Sequence, residues 1–446
     1  MVLARTPLAA FGVVLTTACA ALFLLALGAE SYGLIENPYV GILIFGALPT
    51  GFAFGLLLIL IGNLLGRRKG LTEVHWPTIN LASRGQRVFL MGLLAASLVN
   101  IVIFAVAGYG AIHYMETPSF CGQVCHEVME PEYVAHAEGP HANVTCVSCH
   151  VGSGAGALVA SKIDGVRRLR GFITGNITRP IATPVAEMRP AREICVTCHW
   201  PEKIHGNKLK VIKEYSDDEA SSETVTTLEM KVGGGSHVLG IGEGIHWHMN
   251  VQNRIEYVAL DAQRQDIPYV KITAADGSVR EYRKPGVTDA QIAAGSTRTM
   301  DCTDCHNRPS HSFSASAERA VDAAIATGRV PRSVPFVRRE MVKALKTEAA
   351  TADAALASID RELRAFYAGD EVAAKPSAAD LTRVVEAAQA VYRTNVFPQM
   401  KITWGSYRSE LGHMTSPGCF RCHDEEKATP DGKTIGQDCE SCHLMR

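Results

Sequence analysis

A surplus of basic residues is what this chain most obviously lacks. Lys and Arg total 44 against 45 Asp and Glu, a formal net charge of −1. That balance excludes the positive field on which nucleic-acid binding depends. Cysteine is too scarce for a disulfide scaffold, at 13 in 446 residues. Histidine is absent from the first two long apolar stretches, so they offer no ligands for a haem held inside a membrane. Basic residues are missing between those stretches, where only Glu30 and Glu36 carry charge. What remains is room for roughly two to four domains. The composition is 47% hydrophobic, part of it concentrated at the N-terminus.

Residues 1–115 read as a membrane region of three transmembrane helices. Runs 7–29, 40–66 and 88–112 are apolar, the last interrupted by Asn100, and each is long enough to cross a bilayer. The first run has two readings, a retained helix or a cleaved signal peptide. Arg5 precedes it and Gly28 and Ala29 end it, but its apolar part exceeds an ordinary signal core and favours retention. Between the second and third runs, Arg67, Arg68, Lys69, Arg84 and Arg87 stand against the single acid Glu73. The positive-inside rule puts this loop in the cytoplasm, so everything beyond residue 115 lies outside it. His75 is a plain loop residue, whereas His113 ends the third run as either a structural interfacial residue or a ligand.

Twelve of the thirteen cysteines fall in six close pairs, each followed directly by His; only Cys19 is left over. Cys146-Val-Ser-Cys149-His150, Cys195-Val-Thr-Cys198-His199, Cys302-Thr-Asp-Cys305-His306, Cys419-Phe-Arg-Cys422-His423 and Cys439-Glu-Ser-Cys442-His443 read C-x-x-C-H. This is the attachment signature of c-type haem. Two thiols add to the two vinyl groups, and the adjacent His is delivered to the iron. A zinc site or a disulfide would not need a trailing His at that fixed place. Attachment outside the cytoplasm agrees with the topology. The sixth pair, Cys121-Gly-Gln-Val-Cys125-His126, has one extra residue, and its alternatives are a disulfide or a single thioether. Met129 follows as a soft thioether able to act as an axial ligand.

Six haems need up to six further axial ligands. Outside the motifs and the membrane part lie His136, His141, His205, His237, His246, His248, His311 and His413. His136 precedes His141 by too little for both to bind, which leaves His136 the weaker candidate. Full six-coordination favours electron transfer, whereas substrate chemistry would need an open iron position. Pro309 makes the short link from His306 to His311 able to turn His311 toward a different haem.

The fold class expected is a mostly α and irregular multihaem cytochrome c with N-terminal transmembrane helices and a small β-rich insertion. Residues 116–205 carry three haem motifs, and 296–315 carry the fourth. Between them, 206–295 form the β-rich insertion. Its expected strands are Lys208–Tyr215, Thr224–Val232, Arg254–Leu260, Tyr269–Thr273 and Val279–Arg283, with an Asp276-Gly277 turn. Residues 316–446 combine Ala-rich helical patterns over 316–328, 337–368 and 377–394 with a C-terminal dihaem region.

One ordered set of residues carries a family resemblance. Phe120-Cys121…Cys125-His126, Glu132-Tyr133, His141, Cys146…Cys149-His150-Val151, Lys162, Gly171-Phe172…Thr174-Gly175 and Thr183-Pro184 come first. Ala191-Arg192, Cys195…Cys198-His199, Cys302…Cys305-His306 and His311 complete it. This resembles the NapC/NirT family of membrane-anchored multihaem quinol dehydrogenases over roughly 116–205 plus 300–312. The usual member has one anchor helix and four haems. The added helix pair, insertion and dihaem tail resemble longer inner-membrane relatives associated with anaerobic respiration on extracellular or periplasmic acceptors. The first motif departs from the short members' C-x-x-C-H-x-M, which leaves His126, Met129 or both as its axial ligand.

The resemblance implies that quinol from the membrane pool is oxidised beside the first haem, at the outer face of a bacterial inner membrane. Electrons would pass to a periplasmic redox protein or reductase. It also implies that Lys162 lies near that haem and the quinol. A family carboxylate is missing near Leu169, and Asp164 is the nearest acid. Two alternatives stay open: the same conduit run in reverse to reduce quinone, and a terminal reductase with an open haem.

Overall fold

The computed structural model describes residues 6–31, 47–68, 81–123, 126–151, 155–185, 189–200, 204, 206–233, 235–236, 240–241, 244–249, 253–274 and 276–445. They divide into two units, Met1–His126 and Glu127–Arg446.

In the first unit the apolar runs are helices: α1 (Pro7–Ser31), α2 (Leu48–Arg68) and α3 (Arg84–Met115). Residues 40–46 of the second run lie outside the described residues. Pro7–Ala26 and Leu48–Gly66 are long and apolar enough to span a bilayer. α3 contains the third run, several of whose side chains lie outside the description. α1 and α2 meet along small residues. A Cβ on Gly12 would stand 2.7 Å from the Gly55 carbonyl oxygen, and one on Gly62 2.6 Å from the Ala9 nitrogen. Lipid supplies no hydrophobic drive between helices, so close backbone packing of this kind is what holds them. Cys19 is buried at the same seam, beside Gly51. The seam gives α1 a packing partner. α4 (Pro118–Gln123) then carries Cys121.

α5 (His126–Ala137) leads into the second unit, where short elements follow: α6 (Cys146–His150), α7 (Ala155–Ile173) and α8 (Ala191–Cys195). The expected strands form as β1 (Lys208–Tyr215), β2 (Glu223–Met230), β5 (Arg254–Ala259), β6 (Tyr269–Thr273) and β7 (Val279–Arg283). A two-residue pair, β3 (Gly235–Ser236) and β4 (Gly240–Ile241), lies between β2 and β5. α9 (Asp289–Ala294) and β8 (Ser296–Thr299) come after β7. These strands divide between separate sheets. The β1–β2 hairpin takes β9 (His443–Met445) on its free edge, with Met230 opposite His443. The antiparallel order β7-β6-β5-β8 makes the larger sheet. Its Ile255, Tyr257, Ala259, Val270 and Tyr282 form a buried cluster against which Cys422 packs. β8 runs directly into the fourth motif.

The Ala-rich patterns become α10 (Ala317–Ala326), α11 (Val337–Leu345), α12 (Ala352–Ala368) and α13 (Ala378–Asn395). The 337–368 pattern is two helices rather than one run. Thr351 caps α12 by accepting from the Ala354 amide at 3.2 Å, and Thr347 donates to the Glu362 carboxylate at 3.1 Å. Such local side-chain bonds compete with a continuous helix. Ser316 and Ser377 cap α10 and α13 in the same way. Val321, Val337, Met341, Leu345, Ile359, Leu363 and Val384 fill the space between the helices.

Candidate haem sites

Among the described residues, five motif histidines face a second histidine. Ring centres are 6.2 Å apart for His150 and His311, 6.0 Å for His199 and His141, and 6.3 Å for His306 and His246. His423 and His248 are 5.8 Å apart, and His443 and His413 6.2 Å. An imidazole nitrogen lies about 2 Å from a metal it ligates, so two rings flanking one metal have centres roughly 6 Å apart. The spacing of all five pairs fits one iron between each.

Hydrogen bonds aim the rings. Nδ1 of His311 donates to the Glu132 carbonyl at 2.8 Å, and Nδ1 of His141 to that of Pro309 at 3.1 Å. Nδ1 of His246 and His248 donate to the carbonyls of Val232 and Ile245, both at 2.7 Å. In the fifth motif, His423 Nδ1 donates to the Gly436 carbonyl at 2.7 Å. A carbonyl only accepts, so Nδ1 carries the hydrogen and Nε2 keeps a lone pair for metal. His136 is held the other way round. Its Nε2 meets the Val144 carbonyl at 2.9 Å, so that nitrogen is spent although the ring lies 6.1 Å from His311. Burial holds His150, His248, His306 and His311 below the ordinary histidine range, in the neutral form that ligation requires.

From the second motif to the sixth, the motifs adjoin in chain order. Burial, then Cys146 and Cys198, push the Cys149 thiol up. The Cys195 thiol is raised by a hydrogen bond with Cys302. Burial pushes Cys305 up to about 12, with Cys419 the next cause, and it raises Cys442, again with Cys419 next. These thiols belong to the free polypeptide; thioethers do not titrate.

Polar brackets hold this row in place. His246 and His248 share one 3₁₀ turn, Ile245–Met249, and so reach two successive motifs, the fourth and the fifth. Arg421, inside the fifth motif, donates to the Asp304 carbonyl at 2.5 Å and the Arg264 carbonyl at 3.1 Å. It also pairs with the buried Glu410 at 3.1 Å. Asp304, inside the fourth motif, accepts from the Tyr257 hydroxyl at 2.5 Å and from Arg264 at 3.2 Å. Behind His311, Arg308 grips both Glu132 oxygens at 3.0 and 2.8 Å and stacks 3.9 Å above the Tyr407 ring.

The other expected site residues are described only in part. Cys125, His205 and His237 lie outside the described residues, as do the side chains of His126 and Lys162. Cys121 ends in α4, and Met129 is half-buried on α5. Lys162 and Asp164 both belong to α7. The Asp164 carboxylate is taken by Arg168 at 2.6 Å and Arg167 at 3.5 Å. Sequence reasoning missed Arg421 and Asp304, which occupy the variable places of their motifs. It also missed the orienting carbonyls, which have no side-chain signal.

The helices, the cysteine–histidine sites and the paired imidazoles define a membrane-anchored multihaem cytochrome c that works in electron transport. Residues 83–182 match the N-terminal region of the NapC/NirT cytochrome c family. The chain is 36% identical over 452 residues to the cytochrome c-type protein ImcH of Geobacter sulfurreducens, covering 98% of this chain and 87% of that one. It belongs to the NapC/NirT family of membrane-anchored cytochromes c, and haem c is its cofactor. No solved structure matches it.

Proposed function

We propose that this chain oxidises quinol at the outer face of a bacterial inner membrane and relays electrons, through six covalent haems, to a periplasmic redox protein or reductase. The observation that carries this reading is the set of five imidazole pairs. With protein ligands available on both sides of each iron position, none of the five is left open for a substrate, which favours a conduit over a reductase. When bound, haem iron supplies one-electron chemistry. The paired cysteines would tether it, and Nδ1–carbonyl bonds would hold the rings of His141, His246, His248, His311 and His423 in place.

Quinol head groups reach only the membrane interface. α3 ends at Met115 and Cys121 follows in α4, so the first motif is the one tied most closely to the membrane by the chain. Family resemblance supports Lys162 as the polar partner. An ammonium beside a ring oxygen would favour the anion formed as protons leave. Asp164 is a weaker companion, since Arg168 already engages it.

The test is reduction of the full-length protein in lipid nanodiscs by a quinol analogue. Lys162→Ala should slow it by roughly 10²-fold, the usual scale of one acid–base group, while haem content and the dithionite-reduced spectrum stay intact. A wild-type rate in that variant would move the site elsewhere, with His113 next to be tried. Failure of quinol to reduce the wild-type protein would overturn the conduit reading.

A further inference from the structure

The five imidazole pairs are not held alike. At four of them at least one Nδ1 is bonded to a backbone carbonyl, and at His423 and His248 both are. His443 and His413 differ. Among the described residues neither ring makes a hydrogen bond, and Nδ1 of His443 is itself buried. An aromatic side chain takes the carbonyl's place. Phe420, at a variable position of the fifth motif, lies face to face with the His413 ring, with centres 4.5 Å apart and planes 12° apart. That is the close end of the range for stacked rings. A ring laid on the face of an imidazole bars its rotation about the metal–nitrogen axis, the same freedom that an Nδ1 bond removes.

The backbone makes the contact rigid. The Cys419 amide donates to the Gly412 carbonyl at 3.1 Å, which ties the residue before His413 to the first cysteine of the fifth motif. Gly418 has φ +50°, and a Cβ there would collide with the Gly412 carbonyl oxygen. The fifth attachment loop and the imidazole that faces His443 are therefore one piece. We infer that Phe420 is a positioning residue for His413, setting the plane of the sixth haem's distal imidazole from within the fifth motif. The inference rests on haem at the sixth motif, part of the reading above, but not on quinol.

The two planes at the sixth motif are 27° apart, against 79° for His423 and His248. The electron paramagnetic resonance of low-spin ferric haem depends on that angle, so the oxidised protein carries the readout and a failure of quinol to reduce it would leave the test intact. In the full-length haem-loaded chain, His413→Met identifies the sixth haem's signal by removing it. Phe420→Leu should keep the wild-type haem count, measured as pyridine haemochrome. The signal so identified should broaden and move, while the others stay. Cyanide should displace His413 roughly 2- to 10-fold more readily, the scale of one lost aromatic stack. Phe420→Tyr, which keeps the stack, should behave as wild type. A wild-type signal and cyanide affinity in Phe420→Leu would overturn the inference. So would loss of a haem in that variant, which would make Phe420 a requirement for attachment rather than a positioning residue.

Discussion

Segments 317–395 and 127–199 belong to one unit but cohere by different means. In the first, four helices close on a shared apolar cluster in which Val321, Val337 and Met341 have no exposed surface. Burying a side chain of that size contributes about 1.5–3 kcal/mol. Among the described residues of the second, the buried apolar ones are few, namely Val128, Ala135 and Ala191. Its α6 and α8 have five residues each, far below the length at which a helix holds by itself. What recurs there is a cysteine pair and a histidine. One segment is organised by its own side chains, whereas the other has few buried apolar residues and carries the haem-attachment signatures.

That contrast breaks most visibly if haem attachment is prevented. In a chain made without haem ligation, amides of 127–199 should exchange freely while those of α10 to α13 stay protected. Equal protection in both segments would refute the contrast. The next largest effect is expected at the polar bracket. Arg421→Met strands the buried Glu410 carboxylate and should cost about 3–5 kcal/mol. Adding Glu410→Leu should recover much of that loss in denaturant unfolding followed at the Soret band. Leu363→Ala tests the apolar side, with an expected cost of about 2–5 kcal/mol. Hydrogen exchange should detect it in α10 to α13, and the dithionite-reduced haem spectrum should not change. Ser377→Ala, which removes the α13 cap, should cost only about 1 kcal/mol, read by the same exchange.

Much of the fold was legible because its signals are local. The strands at 208–215, 269–273 and 279–283 sit where alternation predicted them. The helical patterns held except at 346–351, where two threonines divert their hydrogen bonds. Sheet partners were not legible. Nothing in the β1–β2 hairpin announces that the last residues of the chain complete its sheet. At the candidate site, the weakness of His136 against His141 followed from spacing alone. The reason it stays apart, an Nε2 already bonded to the Val144 carbonyl, needed the fold.

By itself the sequence determined which segments carry the haem-attachment signature and which runs are apolar enough to cross a membrane. Thioether formation needs two thiols and a histidine within one short segment, and a span needs only an uninterrupted apolar run. Only the tertiary structure decided which histidines face each other. His150 meets His311 and His423 meets His248 across long stretches of chain. Those meetings depend on backbone carbonyls at Glu132 and Ile245 that turn each ring. A pair of facing imidazoles is a contact between remote segments, and residue spacing carries no record of which segments fold together.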